Sequence, residues 1–221
     1  MVTASALAGG LALGVSTSVA QTAPQIAGAH YWSADTPDPR EVTAWVAIAP
    51  DDTVTFRFAI SEVGQGSSTG WSMLLAEELE CDWSKVRCEC ASPNRNLKDK
   101  PYGNIVGGAD NGIRIYWALV QQAGASARAR LIAAAAKRWN VDTAECVAAN
   151  SKITHTKSGR SLRFGKVATD AANIKLIQEP TIKSPQQYKL VGKALPRLDA
   201  AVKVDGSAIY GPRSEEHTSE L

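Results

Sequence analysis

Ser61-Glu-Val-Gly-Gln-Gly-Ser-Ser-Thr-Gly-Trp-Ser-Met-Leu-Leu-Ala-Glu-Glu-Leu79 joins a strand pattern to a helix pattern through a glycine-rich loop. Upstream, Val54, Phe56, Phe58 and Ile60 alternate with Thr55, Arg57 and Ala59, the period-two pattern of a half-buried strand. Downstream, Met73, Leu74, Ala76 and Leu79 return at helical spacing. The loop Gly64-Gln65-Gly66 therefore lies at a helix entrance. Glycines there let backbone approach a ligand, the first-turn N–H groups point at it, and Ser67, Ser68 or Thr69 can cap the turn. The expectation is that the amide hydrogens around Gln65 face a pocket able to hold an anion. An ordinary tight turn is the plain alternative.

Outward from the loop, Trp45 to Ile60 reads as a hairpin turning at Pro50-Asp-Asp52. Val86 to Ala91 reads as a strand and the polar run Ser92 to Tyr102 as a loop. Ile113, Tyr116, Trp117, Val120, Ala127, Leu131, Ala135 and Trp139 mark one face of a helix predicted over Asn111 to Trp139. Its middle, Ala123-Gly-Ala-Ser-Ala127, suits close packing against a neighbour. Asp142 and Glu145 fit a capped short helix, and Ile153–His155 with Ser161–Phe164 a hairpin turning at Lys157-Ser-Gly159. From Pro180 the pattern is extended and proline-punctuated. The fold class expected is α+β, a mixed sheet with helices packed on one face.

The loop and its surroundings resemble the molybdopterin-binding subunit of the xanthine oxidase and aldehyde oxidase family, of the isoquinoline 1-oxidoreductase type. Glu62-Val-Gly-Gln-Gly66 with Met73-Leu-Leu-Ala-Glu-Glu-Leu79 carries the likeness. It continues through Asp82-Trp-Ser-Lys-Val-Arg87, Tyr102-Gly-Asn104, Gly107-Gly108, Gln122-Ala-Gly-Ala125 and Gly192-Lys-Ala-Leu-Pro-Arg-Leu-Asp199 with Lys203-Val-Asp-Gly206. The Gly-Gln-Gly segment precedes the Gly-Lys-Ala-Leu-Pro-Arg segment, an order similar to the isoquinoline type.

The resemblance implies a molybdopterin cofactor, in its cytosine dinucleotide form, contacted by Gly64, Gln65 and Gly66 and by a second loop at Gly107, Gly108 and Ala109. It implies hydroxylation of an N-heterocycle or oxidation of an aldehyde, with electrons leaving through a small [2Fe-2S] subunit. The family's general-base glutamate belongs to a later segment, so no catalytic residue is assigned here and the chain is expected to be inactive alone. Val106, Ala109 and Asn111 stand where relatives place hydroxyl residues, so the second loop departs from the pattern. The implied organisation is a cofactor-domain portion over 42–178, preceded by a linker over 21–41. A second linker over 179–191 leads to the start of a hammerhead-like domain over 192–212, cut off and left unseated after Pro180.

Residues 1–20 lack Lys and Arg and end in Ser18-Val-Ala20, which reads as the remnant of an export signal. Relatives often carry a twin-arginine signal, so the expected location is the periplasm with the arginines upstream of Met1. Three glycines and several hydroxyl residues make the stretch a poor membrane span. Residues 213–221 look like a translated sequencing adapter. A net charge of +2 suggests no nucleic-acid partner.

Cys81, Cys88, Cys90 and Cys146 lack metal-site spacing and read as buried thiols, with a Cys81–Cys90 disulfide as the alternative. No metal ligands are expected. Two rival functions remain. Gly66-Ser-Ser-Thr-Gly70 matches the Gly-x-Ser-x-Gly elbow of an exported serine hydrolase, with Ser68 as nucleophile and Asp142 and His155 following in chain order. The other is a noncatalytic exported binding module.

Overall fold

A computed structural model of the chain describes residues 3–7, 10–14, 33–103, 105 and 112–208. Strands β1 (Thr3–Leu7) and β2 (Gly10–Gly14) pair as an antiparallel hairpin. The central sheet holds β3 (Glu41–Thr43), β4 (Val46–Ile48), β5 (Val54–Phe58) and β6 (Val86–Cys90), in that spatial order. β4 and β5 form the predicted antiparallel hairpin, closed by Ala49 N–H on Thr53 O and Asp52 N–H on Ala49 O. Asp52 takes a positive φ of 71° in this turn, a region an aspartate tolerates better than most side chains. β5 and β6 run parallel, which requires a crossover. Helix α1 (Ser67–Leu79) supplies it. The Ser61–Gly66 loop consequently leaves the carboxyl end of a parallel strand, where open α/β units commonly bind ligands.

The sheet is mixed and helices pack against it, so the α+β expectation is met at that level. Helix α1 lies along α3 (Trp117–Trp139), and α3 along α4 (Phe164–Ala172). Gly124 of α3 explains the close approach: a Cβ there would stand 2.7 Å from Leu75 O and 2.8 Å from Glu78 Cβ. A second sheet, β7 (Cys146–Ala149), β8 (Lys152–His155) and β9 (Ser161–Arg163), is antiparallel and contains the predicted hairpin.

Several elements differ from expectation. The run Ser92 to Tyr102 is not simply a loop: Pro93–Asp99 forms α2, with the Ser92 hydroxyl accepting Arg95 N–H and Pro93 at the first turn, where proline needs no amide partner. Helix α3 begins at Trp117 rather than Asn111, since residues 113–116 form turns. Strand β7 and helix α4 were not anticipated. Asp142 does cap a turn, accepting Ala144 N–H, but the turn Thr143–Glu145 is a single 3-10 one.

The chain after Pro180 is seated, contrary to the expectation that it would lack a place. Glu77 of α1, 2% exposed, accepts the backbone amides of Lys189 (2.8 Å), Leu190 (2.6 Å) and Val191 (3.1 Å) on its Oε2. Its Oε1 takes the Lys183 ammonium at 2.9 Å. Burial alone would raise the pKa of Glu77, but these donors outweigh it and hold the carboxyl below its ordinary range. Glu80 adds ion pairs to Lys183 (2.5 Å) and Lys189 (2.9 Å). Beyond this strap, Ala200–Val204 is a short helix, α5, and not a strand.

Candidate functional site

The loop after β5 is held from within by Glu62. Its carboxylate accepts the backbone amides of Gly64 (3.0 Å), Gly66 (2.9 Å) and Ser68 (3.0 Å) and the Ser68 hydroxyl (2.8 Å). Gly64 (φ 103°) and Gly66 (φ 80°) adopt left-handed backbone that lets successive amides converge on one point, an anion nest. The Glu62 side chain is only 5% exposed. Burial alone would raise its pKa, yet the bonds from Gly66, Ser68 and Gly64 lower it below the ordinary carboxylate value. No side chain of the N-cap residue Gly66 is available, and Glu62 does the capping from outside the helix.

Gln65 is likewise engaged. Its side-chain oxygen accepts Val63 N–H at 2.6 Å, and its amide nitrogen donates to Ser61 O (2.8 Å) and Ser67 Oγ (2.7 Å). The expectation of unengaged amide donors around Gln65 is therefore corrected: the nest exists and the chain's own carboxylate fills it. The loop is not smothered, however. Gly64 and Gln65 are exposed, and a Cβ added at Gly64 would meet nothing within 4 Å. As a seat for a phosphate the Gly64–Ser68 amides do not fit, because an entering anion would meet Glu62. The outer face of the loop stays accessible to a docked group.

Arg197 reaches this loop from the strap. Its guanidinium donates to Gly64 O at 2.7 Å, lies 3.5 Å from Glu62 Oε1, and covers Gly66, where a Cβ would stand 3.4 Å from Nη1. Asp199 holds it with two bonds, from Nε (2.8 Å) and Nη2 (2.6 Å). Burial would raise the pKa of Asp199, but Arg197 and Lys203 bring it down to about 2. One residue on, Leu198 is buried and its N–H donates to Thr69 Oγ1 at 3.1 Å. In the sequence, Gly192–Asp199 stands out only through the family resemblance. Nothing in linear spacing ties Arg197 to Glu62.

The second candidate group, Gly107, Gly108 and Ala109, lies outside the described residues. Its exit does not: Gly112 O accepts the Trp71 indole N–H at 2.7 Å, and a Cβ on Gly112 would meet Ile60 Cδ1 at 2.8 Å and Ser67 Cβ at 3.7 Å. Gly112 and Ser67, far apart in sequence, thus approach each other at the base of α1. Trp71 itself is core, stacked near Trp45 and Tyr116.

The hydrolase arrangement is not formed. Ser68 donates to Glu62, while His155 pairs with Ser158 (2.7 Å) and Glu145 (2.8 Å) on the second sheet. The loop Ser61–Gly66 also separates β5 from the Gly-x-Ser-x-Gly run, where an elbow would join them directly. All four cysteines are free, and Cys88 and Cys90 face the same buried side of β6, so the Cys81–Cys90 bridge is absent. Burial pushes the Cys81 and Cys88 thiols up, away from thiolate chemistry. Among the described residues no His, Cys, Asp and Glu cluster could hold a metal, and no helix is long and apolar enough to cross a membrane.

A curated relative, isoquinoline 1-oxidoreductase subunit beta of Brevundimonas diminuta, is 29% identical over 206 residues, 76% of this chain and 26% of the relative. The membrane-bound aldehyde dehydrogenase [pyrroloquinoline-quinone] of Gluconacetobacter polyoxogenes is 29% identical over 177 residues, 77% of this chain and 22% of the relative. The chain thus spans about a quarter of the length of the curated relatives it matches. The crystal structure of quinoline 2-oxidoreductase from Pseudomonas putida 86 matches 58% of this chain and 16% of that one, at 17% identity and a TM-score of 0.40. The model of the molybdopterin cofactor-binding domain matches residues 4–209, nearly the whole sequence, and the chain belongs to that family.

Proposed function

We propose that this chain is part of a molybdopterin-dependent oxidoreductase that hydroxylates an N-heterocycle or oxidises an aldehyde. The observation that carries the reading is the family match over residues 4–209; the two curated relatives, named for isoquinoline and aldehyde oxidation, supply the substrate classes. The chain contributes wall to the cofactor site through the outer face of Gly64, Gln65 and Gly66 and through Gly107, Gly108 and Ala109. The approach of Gly112 to Ser67 supports a shared location for the two loops. The cofactor would supply the redox and oxygen-transfer chemistry, and the protein its binding and orientation. No acid–base step is assigned to this chain.

The finer parts of the proposal are the cytosine dinucleotide form of the cofactor, a small [2Fe-2S] partner subunit, a hammerhead-like domain opening near Gly192, and an exported, periplasmic location. The beta-subunit name of one relative supports a multi-subunit assembly. The small-residue run ending at Ala20 supports export. The test is to purify the complete gene product from its own host and measure molybdenum and the fluorescent oxidised pterin. Both are expected in near-stoichiometric amounts; protein free of pterin would sink the proposal. A fluorophosphonate probe is expected to leave Ser68 unlabelled.

A further inference from the structure

The Gly64–Ser68 amides form a nest of the kind that binds phosphates, and the resemblance would place a cofactor phosphate there. The structure disagrees. We propose that Glu62 is the permanent occupant of this nest, and that Arg197, fixed by Asp199, is the positioning residue that holds the filled loop against the strap. A phosphorylated pterin then meets the loop's outer face at Gly64 and Gln65, not its amides. The last statement rests on the proposed function; the first does not.

Three observations carry the inference. Glu62 is almost fully buried and its carboxylate takes the amides of Gly64, Gly66 and Ser68, so a competing anion must break all of these bonds and expel a charge already paired. Arg197 compensates the Glu62 charge at 3.5 Å while donating to Gly64 O, so the cation that would attract a phosphate is engaged on the loop itself. Leu198 N–H on Thr69 Oγ1 and buried Leu198 fix the strap beside the first turn of α1, which leaves Arg197 little freedom to swing away. Arg197 acts through Gly64 O and the Glu62 carboxylate, so its role is positional.

The experiment is amide NMR with hydrogen exchange on the full chain, using inorganic phosphate as the probe. In the wild type, phosphate should leave the Gly64, Gly66 and Ser68 resonances unmoved. In Glu62→Ala the emptied nest should respond to phosphate saturably. In Arg197→Ala, exchange at Gly64, Gly66 and Ser68 should rise about tenfold or more while α3 amides stay protected, with partial rescue in Arg197→Lys. Asp199→Asn serves as a second variant and should raise exchange at the same amides. Saturable phosphate shifts at the three amides in the wild type would overturn Glu62 as permanent occupant. Unchanged loop exchange in both Arg197→Ala and Asp199→Asn would overturn the positioning role. Neither result depends on pterin content, so absence of pterin from the complete gene product would remove the oxidoreductase proposal and leave this one standing.

Discussion

Arg197 and Glu62 stand 3.5 Å apart, a cation from the strap facing a buried carboxylate that already closes the loop at the entrance of α1. The pair joins two segments that neither helix periodicity nor strand pairing connects. Replacing the carboxylate tests how much the loop depends on it. Glu62→Gln puts an amide N–H where Gly64, Gly66 and Ser68 donate, so at least one donor loses its acceptor and Arg197 loses one of its two carboxylate partners. The expected cost is about 2 kcal/mol, read as a lower urea midpoint at an unchanged slope.

Glu77 makes the corresponding contact further along the strap. Glu77→Ala leaves the amides of Lys189, Leu190 and Val191 and the Lys183 ammonium without their carboxylate. A loss of about 2 kcal/mol is expected, because three part-buried amides lose their acceptor together. Limited proteolysis should then cut between Pro180 and Asp199 well before it reaches α3. Equal resistance in the variant would show that the strap is seated by its apolar contacts instead.

Gly124→Ala should destabilise, although alanine is the better helix former by about 1 kcal/mol. The added Cβ would stand 2.7 Å from Leu75 O, a backbone atom that cannot rotate away. Separating α1 from α3 should cost about 2 kcal/mol and so outweigh the propensity gain. Thermal denaturation gives the sign directly. A stabilised variant would mean the two helices are not in contact at this point.

Glu62 and Glu77 should contribute to the acid limb of stability, together with Asp199. Both glutamate carboxyls are held below their ordinary value of 4.5 in the folded chain. Their contribution is therefore complete above the unfolded pKa and lost as pH falls through the folded one. Glu62→Gln and Glu77→Gln should each flatten the stability profile below about pH 4.5.

Glu78 has the opposite sign. It is fully buried, burial raises its pKa, and its Oε2 accepts no hydrogen bond, with Arg128 3.5 Å away. Its contribution is full below the unfolded pKa and is lost as pH rises through the folded one. Glu78→Gln should leave the acid limb intact and flatten the profile on its high-pH side. Urea midpoints collected from pH 3 to pH 8 separate the cases.

Where a pattern is local to one stretch of sequence, the reading of the chain held. Alternation at Val54, Phe56 and Phe58 and the turn at Asp51-Asp52 produce the β4–β5 hairpin, and the small residues around Gly124 produce the close helix contact. The run around Pro93 reads as a loop because proline is usually a breaker; in the first turn after the Ser92 cap it starts α2 instead. Helix α4 went unread although Phe164, Val167, Ala168 and Ala171 lie on one buried face, because the segment is short and follows a hairpin directly. The cofactor-family likeness was legible at Glu62–Gly66, and so was the nest geometry that two glycines permit.

A glycine-rich turn between a strand and a helix is legible in the residues alone, since backbone freedom and hydrophobic period are local properties. It could equally have offered its amides to a ligand or to its own carboxylate, for both satisfy the same donors. The folded arrangement selects between them: burying Glu62 beneath the loop and bringing Arg197 to balance its charge makes the internal anion the favoured acceptor, and that balance exists only once the strap is folded onto α1.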